Sequence, residues 1–169
     1  MFHETKNSIK DKFHGANMIK KENFTLPIKL IIGFHVLNLV LWFFGQTWAV
    51  FDYDTAASWG LQDPRILIDP AIVEVNRGIG LTDTFILLPI FLLATIGLLK
   101  RKFWGNVFSW MAFALTFYWP VVFWCSQYFF VSNGIKHNPT ALSAIVLPVM
   151  FMLFSIWGSW YLYKNPVGK

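Results

Sequence analysis

His35, Asn38, Trp42 and Gln46 stand three, four and four residues apart in an otherwise apolar stretch. That spacing puts them on one face of a helix. Polar groups in such surroundings are unfavourable toward lipid and turn inward, and His35 is the member that titrates near neutral pH. Two kinds of chemistry fit. The stripe is either hydrogen-bonding glue between helices, or a site for a proton, a quinone-type molecule or another small ligand. Tyr118, close to the break expected at Pro120, joins the ligand-binding candidates.

A second constellation is charged. Glu74 and Arg77 have the three-residue spacing of a helical ion pair, and Asp83 follows where an apolar run begins. With Asp52 and Asp54 they could gather at one mouth of the molecule, as oxygen ligands for a divalent cation or as a general acid, a base and a charge-stabilising cation. The plainer alternative is a solvated rim of helix caps and one ion pair.

Cys125 is the single cysteine, which excludes an intramolecular disulfide. It has no histidine within expected reach, and a reactive thiol needs a base or an electropositive site. His35 is likewise the one histidine in an apolar run, so neither a metal centre nor a cofactor is expected. No nucleophile elbow, phosphate loop or zinc-helix pattern occurs.

The elements that must position these groups follow from hydropathy. Four apolar runs, about 28–50, 81–99, 103–131 and 140–163, are each long enough to cross a hydrocarbon core of about 30 Å. The chain is 56% hydrophobic and 14% charged over 169 residues, leaving no room for a separate soluble domain. The fold expected is an all-α integral membrane protein, a four-transmembrane-helix bundle. Residues 1–27 read as a polar, basic and mobile tail, with Ile9, Phe13 and Ile19 as its apolar residues. Residues 51–80 read as a structured outer loop. Within it, Asp63-Pro64 and Asp69-Pro70 each pair a capping residue with a first-turn proline. Gly78 suits a helix end, so 69–78 is expected to be a short helix on the membrane interface. Pro89, Pro120 and Pro148 each free a backbone carbonyl one turn earlier, so three of the four runs should be kinked.

The net charge of +5 is segregated. Most lysines and arginines fall in the tail, in the 100–102 link and after the last run. Arg65, Arg77 and Lys136 alone lie on the other side. That asymmetry is a topology signal rather than a nucleic-acid footprint, and it predicts a multi-pass protein of the cell membrane with both termini cytoplasmic. Ser155, Gly158 and Ser159 form a small-residue face for close packing, within one subunit or in a homo-oligomer or larger membrane complex.

The function expected is non-catalytic: binding of a small or lipidic ligand, or service as an accessory membrane subunit. An outer-leaflet enzyme using Glu74, Arg77 and Asp83 is the alternative, and an oligomeric channel or transporter component is a further one.

Overall fold

The computed structural model describes residues 24–168, and within them every regular element is helical. The tail and its apolar residues Ile9, Phe13 and Ile19 lie outside the described residues. Four helices are long and apolar enough to cross a membrane: α1 (Leu26–Phe51), α3 (Pro70–Leu99), α4 (Phe103–Ser132) and α5 (Ser143–Lys164). A short helix, α2 (Tyr53–Ser58), follows α1, and a single 3-10 turn occupies Arg65–Leu67.

Pro27 sits in the first turn of α1, where its missing N–H is harmless. Near its far end α1 widens into a π-helical turn over Phe43–Thr47 before resuming at Trp48. The short interfacial helix expected over 69–78 is not a separate element. Asp69 caps the start as anticipated, accepting from the Ala71 N–H. The helix then runs through Gly78-Ile79-Gly80 without stopping and pauses only at Ile86, three residues before Pro89. The loop therefore ends near residue 69, and α3 begins about three turns earlier than hydropathy suggested. The sequence also reads Asn138 and Pro139 as capping the last apolar run, but the residue that flanks α5 is Leu142. Asn138 instead donates to Asp63.

Packing is inside-out. Phe85 is 74% exposed and Leu142 75%, which for a water-soluble surface would be a severe apolar liability. His35, Asn38, Asn106, Ser109, Thr116 and Ser155 are buried. α3 packs closely on α4, α4 on α5 and α1 on α3, while α1 and α5 meet sparsely. Phe34 of α1 stacks on Phe154 of α5, with ring centres 4.3 Å apart. The small-residue face of α5 is used within the subunit: Gly158 lies against the Phe113 ring, and the Ser159 carbonyl accepts from the Trp110 indole.

The end of the bundle carrying α2 is closed by ties between loops. Asp69 donates its N–H to the Lys136 carbonyl, and Asp63 accepts from Asn138 at 2.6 Å.

Candidate functional site

Proline chemistry opens the interior. Pro148 cannot donate to the Ala144 carbonyl, and the Trp124 indole takes that acceptor instead at 3.3 Å. At Pro120, Thr116 directs its hydroxyl to the Ala112 carbonyl. Both prolines border a cavity of about 480 Å³, within the size range of small-molecule sites. Its walls come from all four long helices. α1 supplies Asn38, Leu41, Trp42, Gly45 and Gln46; α3 supplies Asn76 and Ile79; α4 supplies Thr116, Trp119, Pro120 and Phe123; α5 supplies Ala144, Leu147, Pro148 and Phe151. The segment Gly60-Leu61-Gln62-Asp63 lies across the loop end. A smaller, wholly apolar hollow of about 280 Å³, lined by Val40, Leu41, Phe44, Trp59 and Leu61, shares Leu41 and Leu61 with it.

Three of the stripe residues therefore share one wall. Asn38 donates its amide to the Phe34 carbonyl at 2.8 Å. That bond fixes which end of the side chain is nitrogen, and the Oδ1 has no hydrogen bond among the described residues. Trp42 packs on Trp119, with ring centres 5.4 Å apart. Gln46 lies in the π-helical turn, and its Oε1 is buried with no partner. The turn also alters the backbone bonding around it: the Gly45 carbonyl accepts from Gln62 at 2.9 Å, which hangs the loop over the cavity. Gln62 in turn accepts from Asn76.

His35, the stripe's titratable member, is not part of this wall. Its Nε2 lies 3.1 Å from Ser109 Oγ. The Ser109 hydroxyl already donates to the Gly105 carbonyl at 2.7 Å, so Nε2 carries the proton and donates to Ser109. Nδ1 is then a bare acceptor, buried and without a partner, among the rings of Phe34, Phe91 and Phe113. With its proton aimed at the backbone, Ser109 lacks the arrangement of an activated nucleophile. Tyr118 is also outside the cavity lining and 60% exposed. Two residues along a helix turn the direction by about 200°, so the inward-facing Thr116 forces Tyr118 outward.

The charged constellation divides. Arg77 bonds Glu74 at 2.8 Å and places two further N–H groups on the Val50 carbonyl, at 3.0 and 3.3 Å. Arg65 pairs with Asp54 at 3.0 Å, approaches Glu74 at 3.9 Å and lies over the Tyr53 ring. Asp52 caps α2 through Thr55, whose hydroxyl and N–H hold the Asp52 carboxyl below its ordinary value of 3.8. Burial pushes the Tyr53 phenol above its ordinary value of 10.0. Asp83 stands apart. Nine residues put it about 180° around the helix from Glu74, its side-chain interaction is with Trp119, and its Oδ2 is buried without a partner. Glu74, Arg77 and Asp83 thus do not converge, and none of them lines the cavity. Among the described residues no three His, Cys, Asp or Glu side chains are placed to hold a metal ion.

The Arg77 arrangement is a brace, because Val50 offers one of the unpaired carbonyls at the end of α1. A lysine has one nitrogen and cannot reach Glu74 and Val50 in the same fork geometry. Arg77→Lys is expected to lose about 1 kcal/mol, a fall of about 2–4 °C in a detergent melt. Glu74→Gln should change the melt less, since exposed ion pairs contribute little. An Arg77→Lys protein melting with the wild type would show the brace to be idle.

Sequence reasoning missed Gln62, Asn76 and the π-helical turn. Nothing in the order of residues 43–47 marks an inserted turn. The prolines at 120 and 148 were the available signal for a hollow interior. Comparison with known proteins adds nothing to the geometry: no family model, curated protein or solved structure matches the chain.

Proposed function

We propose that this is a four-span membrane protein that binds a small lipidic ligand without chemically transforming it. The observation that carries the reading is the cavity walled by every long helix, apolar along most of its lining, with the Gln46 amide oxygen buried and unsatisfied on one side. An apolar pocket holding a few convergent polar groups is the usual form of a ligand site. The absence of convergence among Glu74, Arg77 and Asp83 favours binding over acid–base catalysis. The hollow beside Leu41 and Leu61 provides an apolar approach from the flank of the bundle.

The membrane setting rests on the length and composition of α1, α3, α4 and α5. Lys29, Lys100, Arg101, Lys102 and Lys164 lie at the end opposite α2, which by the positive-inside tendency is the cytoplasmic one. The covered mouth of the cavity then faces the outer leaflet.

Native mass spectrometry of the full chain, solubilised in mild detergent, tests the binding. The wild type is expected to carry one small non-protein mass per subunit. Ala144→Trp, which fills the cavity while leaving the backbone carbonyl for Trp124, is expected to lose at least about tenfold of it. A wild type with no adduct, or an adduct retained equally by Ala144→Trp, overturns the proposal.

A further inference from the structure

The open polar groups on the cavity wall restrict the chemistry of what fits. Most of the polar lining is already paired: Gln62 holds Gly45 and accepts from Asn76, Thr116 bonds Ala112, and Asp63 accepts from Asn138. The groups left open are the Gln46 amide, whose Oε1 is buried without a partner, the Trp42 indole N–H, and Asn38 Oδ1, which lies eight residues and so about 12 Å from Gln46 along α1. The two amide oxygens are acceptors and require a donor from the occupant, while the open N–H groups are neutral donors that carry no charge to balance an anion. No lysine, arginine or histidine lines the cavity, and Asp63 is its one ionisable lining residue. An anionic head there would be desolvated with no opposing charge, an arrangement several-fold worse than a neutral one. A hydroxyl suits a primary amide in both directions, donating to the oxygen and accepting from the nitrogen.

Building on the binding role proposed above, we infer that the occupant is an uncharged, hydroxyl-bearing amphiphile. Its hydroxyl head meets the Gln46 amide below the Gln62 strap, and its apolar body lies along Leu41, Phe123, Leu147 and Phe151. Asn38, deeper in the bundle, offers a second acceptor to any further donor the molecule carries. Buried acceptors left unsatisfied penalise a ligand that lacks the matching donor, so recognition is by head group as much as by chain.

The test uses delipidated full-length protein in mild detergent, titrated in native mass spectrometry with two probes of one oleoyl chain. One probe is the neutral monoacylglycerol; the other is the lysophosphatidic acid, which carries a phosphate on the same glycerol. The monoacylglycerol is expected to bind at least about tenfold more tightly, and free glycerol to compete with neither. Gln46→Leu, with the near-isosteric Gln46→Met as a second variant, should lose that preference, reducing monoacylglycerol affinity about tenfold. Equal binding of the two probes, unaffected at Gln46 but lost in Ala144→Trp, overturns the head-group assignment and leaves the cavity reading intact. Preference for the anionic probe also overturns it. If neither probe binds and no native adduct is found, the binding role fails together with this inference.

Discussion

Gly97→Val is expected to lower the melting temperature of the detergent-solubilised protein by about 6–12 °C. At this point α3 and α4 approach most intimately, and a Cβ on Gly97 would fall among the backbone atoms of Gly105 and the ring of Trp104. Small residues are what permit helices to close this far in a membrane. Overpacking ordinarily destabilises by about 1–3 kcal/mol, and a clash against backbone cannot be relieved by a rotamer change, so the upper end applies. For a chain of this length each kcal/mol moves the midpoint by about 2–4 °C. Gly33 provides the control: nothing lies within 4 Å of the position its Cβ would take. Gly33→Ala should therefore be neutral or stabilising, since alanine is the better helix former. If Gly97→Val melted with Gly33→Ala, the tight hairpin of α3 and α4 would be wrong.

A second large effect is expected at Gly80, here on the site. Its Cβ would come within 2.5 Å of the Gln46 carbonyl oxygen and 3.2 Å of a Val50 methyl. The close approach of α3 at this residue backs the π-helical turn that carries Gln46. Gly80→Val must push that turn away from α3, moving Gln46 and the Gly45 carbonyl to which Gln62 is bonded. Ligand carried by the purified protein should fall by about tenfold or more, the loss of one well-made buried hydrogen bond together with its strap. Retention of wild-type ligand by a folded Gly80→Val protein would separate the turn from binding.

The same glycine shows where sequence reasoning succeeded and where it failed. The ends of α1, α4 and α5 came within about three residues of those expected, because long apolar runs are set by hydrocarbon thickness. The start of α3 did not, because Gly78 looks like a stop when it is weighed alone. The role of Gly80 is tertiary: it is needed for the contact with α1, and the helix passes through it. The polar stripe on α1 was visible from its period, yet period cannot say which member faces which neighbour. Asn38, Trp42 and Gln46 line the hollow, whereas His35 was captured by Ser109, a residue 74 positions away. Tyr118 was placed by its nearness to Pro120, and helical rotation sends it the other way. Glu74 and Arg77 form the pair their spacing implied, but Asp83, on the same helix, points elsewhere.

The sparse meeting of α1 and α5 bears on how the protein matures. By the time α4 has been synthesised, α1, α3 and α4 can already make their mutual contacts, including the His35–Ser109 bond. The pocket still lacks Ala144, Leu147, Pro148 and Phe151, and with them one whole side. On the binding role proposed above, occupancy waits for α5 to dock, so only a chain with α5 in place can hold a ligand.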